Sequence, residues 1–429
     1  MPGRDTGGWQ GSIGRRTFIK GAGASGTLLL AGCSGGDGGS DGGDGGGSTG
    51  DGSGAMEVTV GIITARSGSY SFLGRGEYEG AVIAKQHLED EEDVSIEIVE
   101  EDTETDPSTG LERMKRLVNK ERVDYVLGGV SSSVAIKMGN WASDNGVAYM
   151  AAGSHSDQTT GEKCAQYMFR PTCSNSMLAN AVGGAMADAA DEWVIMFADY
   201  TWGQTGAKAV EQSLKNAGGN VAESIPTPFP NDDYTQYLNQ AADTGADGLA
   251  VVIAGTTQRV VTKQFFDGGF NDQFTMAGPL FEEAVFWGLD KDIAAQAGLW
   301  ATPYTNSVPQ TDLGNRMVDE IVDQFDSSPF SRHEMGYLSM DQLTRAAIRA
   351  GSTKPDAIRG ELEGYELQRT IKEGEHYWRA KDHQLIQPVD TVTAKPVEEM
   401  QDDPYRSWYA HNSQATGDEV AREDSGCSL

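Results

Sequence analysis

The stretch "VDYVLGGVSSSVAIKMGNWASDNGVAYMAA", residues 123–152, contains a complete strand–helix–strand unit. Residues 123–130 form an apolar run of strand length, punctuated by the pair Gly128-Gly129. "SVAIKMGNWASDN", residues 133–145, has helical character, and "GVAYMAA", residues 146–152, is a strand again. Two apolar strands joined through one helix run parallel, with a right-handed crossover. Ser131, Ser132 and Ser133 occupy the turn from strand to helix.

The same alternation extends both ways. Upstream, "EVTVGII" (residues 57–63) reads as a buried strand, and "GEYEGAVIAKQHLED" (76–90) puts Tyr78, Val82, Ile83 and Leu88 on one helical face. "VSIEIVEED" (94–102) alternates like a strand, and "STGLERMKRLVNK" (108–120) stripes Leu111, Met114, Leu117 and Val118 along a helix. Downstream of residue 174 a second series begins, with strands at 192–198, 220–226, 247–254, 273–278 and 297–303 separated by helices. Three helices follow within 313–364, and residues 375–394 return to strand. The chain is therefore expected to be an α/β protein of two Rossmann-like, doubly wound halves.

The ends are different. Arg15-Arg16-Thr17-Phe18-Ile19-Lys20 is a twin-arginine export pattern, and the apolar run after it is too short to span a bilayer. Leu29-Leu30-Ala31-Gly32-Cys33 resembles a lipobox, so residues 1–32 are expected to be a signal peptide and Cys33 a lipidated N-terminus. Residues 33–55, nearly all Gly, Ser and Asp, form a flexible tether. Together these predict attachment to the outer face of the cell membrane. The chain carries 64 acidic against 33 basic residues. That excess repels nucleic acid and anionic lipid and suits the solvation of a halophile's extracellular protein. Cys164 and Cys173 flank a short loop and are expected to pair, while Cys427 lies in an acidic tail, residues 410–429, expected to be disordered. No cysteine–histidine pattern suggests a metal, and no cofactor motif appears.

The serine turn admits two chemistries. Ser143-Asp144-Asn145 matches one motif of the serine β-lactamases, but the companion Ser-x-x-Lys and Lys-Thr-Gly are missing, as is any Gly-x-Ser-x-Gly elbow. A secreted serine hydrolase is thus disfavoured, and no catalytic residue is assigned. At the start of a helix, however, backbone N–H groups are unpaired and the macrodipole is positive. Hydroxyls beside them add donors for an anion, while one serine is expected to cap the helix. The loops after the other strands, "TARSGSYSFLG", "AAGSHSDQTT", "ADYTWGQT", "AGTTQR" and "GPLFEEAVFW", are rich in hydroxyls, glycine and aromatics, the composition of a binding pocket.

In order and spacing, "SGSYSFLGRGEYEGAVIA", residues 123–160, "CAQYMFRPTCSNS", "ADYTWGQTGAKAVEQSLKNAGG" and "YWRAKDHQL" resemble the leucine/isoleucine/valine-binding family of ABC importers, type I periplasmic solute-binding proteins. The resemblance covers residues 57–396. It implies two lobes joined by three crossovers, placed near Ser174, Pro303 and Lys372: lobe I is 56–174 plus 304–372, lobe II 175–303 plus 373–409. It implies a monomer that captures a small solute and delivers it to ABC permease subunits, with an extracellular sensor as the alternative. By the same resemblance Ser131 and Ser132 bind a ligand carboxylate, joined by Gly153, Ser154 and His155, where His155 replaces the usual threonine. Trp202 and Tyr70 pack on the ligand from opposite walls, and Gly255 and Thr256 line it. Leu280 stands where amino-acid binders of the family often carry a glutamate for the ligand ammonium, with Glu282 and Glu283 as substitutes only if the loop shifts. That departure favours an apolar or aromatic carboxylate, or an amide, alongside a branched-chain amino acid.

Overall fold

The computed structural model describes residues 54–308, 310–401 and 403–429. The twin-arginine stretch, Cys33 and most of the tether lie outside the described residues. The strands are β1 (Met56–Thr64), β2 (Val94–Asp102), β3 (Tyr125–Gly128), β4 (Ala148–Ala151), β5 (Met168–Phe169), β6 (Glu192–Ala198), β7 (Asn220–Thr227), β8 (Gly248–Val252), β9 (Thr275–Gly278), β10 (Leu299–Thr302), β11 (Tyr377–Arg379), β12 (Gln384–Ile386), β13 (Val389–Ala394) and β14 (Tyr409–Ala415). The helices up to the second crossover are α1 (Ser71–Glu91), α2 (Pro107–Arg116), α3 (Ser132–Asp144), α4 (Asn175–Ala189), α5 (Thr201–Asn216), α6 (Thr235–Asp243), α7 (Thr256–Asp267), α8 (Glu283–Phe286) and α9 (Lys291–Ala294). After it come α10 (Asp312–Phe325), α11 (Ser331–Ala350), α12 (Pro355–Leu362), α13 (Val397–Met400) and α14 (Gly417–Val420). Among the described residues no helix is long and apolar enough to cross a membrane.

Lobe I is a five-stranded parallel sheet in the order β2-β1-β3-β4-β5. Its central strands β3 and β4 are buried along their whole length, because helices cover both faces. One core packs Val60, Ile62, Leu127 and Met150 under α1, α11 and α12; a second packs Val126, Tyr149 and Met138 under α2 and α3. Helices α1 and α11 cross closely enough that a Cβ on Gly80 would meet the His333 carbonyl at 2.0 Å. Lobe II is a seven-stranded sheet, β14-β13-β10-β9-β8-β6-β7, in which β13 alone runs against the other strands.

The chain passes from β5 to α4 through residues 170–174 and from β10 to α10 through residues 303–311. The third passage was expected near Lys372, but it falls at Gln387-Pro388. The hairpin β11–β12 buries Trp378 and Leu385 in the lobe I core and extends from β5 through an Arg170–Gln384 bridge. Residues 373–386 therefore stay with lobe I. Lys372 still belongs to the hinge, since its ammonium donates to the carbonyls of Pro303 and of Pro388, on two different passages. Gln387 Nε2 donates to the Pro171 carbonyl at 2.6 Å, tying the third passage to the first.

Two expectations about cysteines and the tail are overturned. Cys164 is bonded to Cys427, 263 residues away, and Cys173 is a buried free thiol. The segment carrying Cys173 turns inward into the lobe II core beside Met177, whereas Cys164 stays near the surface of lobe I. Burial pushes the Cys173 thiol up to about 12, so it is inert. Residues 410–429 are not disordered. β14 pairs antiparallel with β13, Thr416 and Glu419 form a capping box that starts α14, and Val420 is buried. The tail then returns to lobe I, where Arg379 Nη1 donates to the Arg422 carbonyl at 2.9 Å before the disulfide closes. It makes a fourth passage between the lobes.

Candidate functional site

The site is built from the strand ends inward. After β3 the backbone turns through Gly128 and Gly129 at φ +122° and +87°, a region closed to most side chains. The turn delivers Ser131 as the N-cap of α3, but its hydroxyl makes no capping bond. The three serines divide their roles. Ser132 Oγ accepts from the Ser156 amide at 3.2 Å, Ser133 Oγ donates to Thr201 Oγ1 of lobe II at 3.0 Å, and Ser131 stays at the N-cap of α3 without a capping bond.

After β4 the loop carries Gly153, Ser154 and His155, all fully buried. Ser154 Oγ is spent on Thr159 Oγ1 at 2.6 Å, inside its own loop, so its side chain is not brought to the cleft. The Gly153 carbonyl accepts from Arg332 Nη1 at 2.9 Å, and a Cβ at Gly153 would lie 1.9 Å from that nitrogen and 2.1 Å from a Glu77 oxygen. Glycine is required there by a charged cluster, not by a ligand. His155 Nδ1 lies 2.8 Å from the Cys173 carbonyl. A carbonyl only accepts, so Nδ1 carries the proton and Nε2 presents a lone pair. Burial, then the nearby guanidinium of Arg332, holds the imidazole well below its ordinary range, so it is neutral. His155 was expected to donate to a carboxylate; it is instead an acceptor, and Nε2 is buried without a partner.

Lobe II contributes Trp202 from the first turn of α5, packed in one apolar cluster with Tyr70, Val130, Leu280 and Phe330 from both lobes. Its Nε1 is a buried donor without a partner. Tyr70 is hydrogen-bonded through its hydroxyl to Tyr200 across the cleft, and Phe229 stacks 4.8 Å from Tyr200 and 5.2 Å from Tyr70. Leu280 is buried, its carbonyl held by Gln258 Nε2 at 2.9 Å. Thr256 is not brought in. Gly255 packs so tightly on Tyr70 that a Cβ would fall 2.6 Å from its ring, and α7 then starts with Thr256 turned to solvent. With Thr205 Oγ1 also 3.1 Å from Ser156 Oγ, the two lobes are closed on each other.

Sequence reasoning missed Arg332 and Glu77 in this cleft, and weighed Glu282 only as a substitute for the glutamate absent at position 280. Arg332, in the first turn of α11, donates from Nε to both oxygens of Glu282 at 2.8 and 3.0 Å and from Nη1 to Glu77 at 3.2 Å. All three are almost fully buried. Glu77 comes from α1 and its second oxygen accepts from Thr64 Oγ1 at 2.8 Å; Glu282 follows β9 in lobe II and also accepts from Ser331 Oγ at 3.2 Å. Burial pushes the Glu77 carboxyl up to about 7 in spite of Arg332 and Thr64, which pull it down. The available signal was the spacing Gly76-x-x-x-Gly80 on α1, which announces a helix in backbone contact. A Cβ on Gly76 would lie 2.8 Å from the Arg332 Cβ.

A model of the periplasmic binding protein family matches residues 57–401. The Leu/Ile/Val-binding protein homolog 6 of Brucella melitensis is 25% identical over 240 residues, covering 53% of this chain and 60% of that protein. The chain thus matches about three fifths of the length of such curated relatives. A periplasmic binding protein from Burkholderia mallei superposes with a TM-score of 0.80 at 21% identity, over 87% of this chain and 99% of that one. A solute-binding protein of an ABC transporter from R. palustris, in complex with benzoate, superposes with a TM-score of 0.74 at 21% identity, over 88% and 100%. At these identities the structures speak for the fold. From its two doubly wound sheets, crossing passages and the match over residues 57–401, the chain belongs to the periplasmic binding protein family.

Proposed function

We propose that this chain is the extracytoplasmic solute-binding protein of an ABC importer, anchored by a lipid on Cys33, which captures a small carboxylate or amide between its lobes and does no chemistry on it. One observation carries the reading: a closed cleft buries an acceptor, His155 Nε2, and a donor, Trp202 Nε1, that no protein group satisfies. Each costs about 1–3 kcal/mol unpaired, so the closed form awaits a molecule that pairs both. The Ser131 hydroxyl at the α3 N-terminus supplies a site for its anionic end. The names of the relatives, one a Leu/Ile/Val-binding homolog and one in complex with benzoate, support the same class of cargo. The twin-arginine pattern and the acidic surface support export into a salty exterior.

The test is thermal shift in high salt against amino acids, aromatic acids and amides, with small-angle scattering on any hit. One solute is expected to raise the melting temperature and compact the protein. Replacing Ser131 and Ser132 with alanine should weaken a carboxylate by at least about tenfold. A panel that shifts nothing sinks the proposal.

A further inference from the structure

The cleft holds two carboxylates, and both are taken. Of the five N–H groups of Arg332, the one on Nε is shared between the oxygens of Glu282, one on Nη2 goes to Glu282 again, and two on Nη1 go to Glu77 and the Gly153 carbonyl. Each carboxylate also accepts from a hydroxyl, Glu77 from Thr64 and Glu282 from Ser331. This cluster adjoins the candidate site: its guanidinium sits on the residue two before His155, and the charges of Arg332 and Glu282 are felt at both Tyr70 and Tyr200. The next carboxyl along, Glu283, turns away to Thr305 Oγ1 at 2.9 Å. Glu334, whose buried oxygens have no hydrogen-bond partner, lies by Lys372 of the hinge, and the two acceptors named above for the ligand, His155 Nε2 and the Ser131 hydroxyl, are neutral.

A buried ammonium without a carboxylate partner is strongly disfavoured, and here the guanidinium of Arg332 already occupies Glu282 and Glu77. We infer that Arg332 sets the specificity of the cleft, standing where a ligand cation would have to find its partner. The protein then takes carboxylate solutes that carry no ammonium and rejects α-amino acids. The inference rests on the solute-capture reading and narrows its cargo.

The experiment uses the whole chain and matched pairs that differ by the ammonium alone: 3-phenylpropionate against L-phenylalanine, and 4-methylpentanoate against L-leucine, by titration calorimetry. In the wild type the ammonium-free member should bind at least about 100-fold more tightly. Arg332→Met frees Glu282 and should move that ratio toward the amino acid by at least about tenfold; adding Glu282→Gln should cancel the gain. Arg332 also helps close the cleft, but a lost closing contact weakens both members of a pair and leaves their ratio alone. A wild type that prefers the amino acid, or a ratio unmoved in Arg332→Met, overturns the assignment while capture stands. If Arg332→Met does not fold, the wild-type ratio decides. If no solute in a broad panel binds the wild type, capture and specificity fall together.

Discussion

Replacing Cys427 with serine removes a covalent tie that closes a loop over a sequence separation of 263 residues. The chain-entropy relation for a loop of that length gives about 5.6 kcal/mol at 25 °C, with measured disulfides more often contributing about 2–4 kcal/mol. The lower range is the expectation here. In the variant β14 remains paired with β13 and α14 remains packed on α4, so the native tail is held, and the loss acts on the unfolded chain. The assay is urea denaturation in high salt without reductant, following tryptophan fluorescence, with Cys173→Ser as the control. Cys427→Ser should lower the midpoint and make added reductant irrelevant. Cys173→Ser should keep the bond and its response to reductant, because Cys173 is a buried thiol outside it. A peptide map linking Cys164 to Cys173 would refute the reasoning, as would a Cys427→Ser protein as stable as the oxidised wild type.

Buried carboxyls make stability fall with rising pH. Burial pushes Glu77 and Glu334 up to about 7 and Glu283 up to about 8. Each binds its proton more tightly folded than unfolded, so their contribution is fully present below about pH 4.5 and is lost as pH rises toward 8. At about 1.4 kcal/mol per unit each carboxyl contributes roughly 3–5 kcal/mol, so melting temperature in high salt should drop between pH 5 and pH 8.5. A flat or rising profile would count against these assignments. Gly153→Ala places a methyl where Arg332 Nη1 and Glu77 stand, at 1.9 and 2.1 Å, both on the side of α1 and α11. It should cost about 1–3 kcal/mol by overpacking and weaken every solute by at least about tenfold, read by calorimetry; unchanged binding would mean the loop yields freely.

Most of the strands were legible, because strands buried on both faces are continuous apolar runs and each is followed by a loop of hydroxyls and glycine. Residues 123–152 alone carry one unit in full, from Tyr125 to Ala151. What was not legible depended on partners far away in the chain. Cys164 has a nearer cysteine nine residues on, and nothing local says that Cys427 reaches it. The hairpin from Tyr377 to Ile386 has apolar residues that either lobe would accept, so the third crossing could not be fixed from pattern. The role of His155 turns on a single carbonyl, that of Cys173. Arg332 at the head of a helix reads as a solvated charge, and its partners lie 50 and 255 residues away.

A capture protein works only if its closed form is not already the stable one when empty. The groups that meet across this cleft are balanced in that sense. Arg332 with Glu282, Tyr70 with Tyr200 and Ser133 with Thr201 draw the lobes together. Yet a buried ion pair gains little net free energy once desolvation is counted, and Glu77 and Glu282 are fully buried beside Arg332. Against these contacts stand His155 Nε2 and Trp202 Nε1, which lose water on closure and receive nothing back from the protein. Closing and opening forces of similar size leave a small gap between the two forms. On the proposed function, a solute that pairs the orphaned groups binds the closed form, and its differential affinity decides the equilibrium. On that reading the same unsatisfied atoms that penalise an empty closed cleft are what make the lobes respond to cargo.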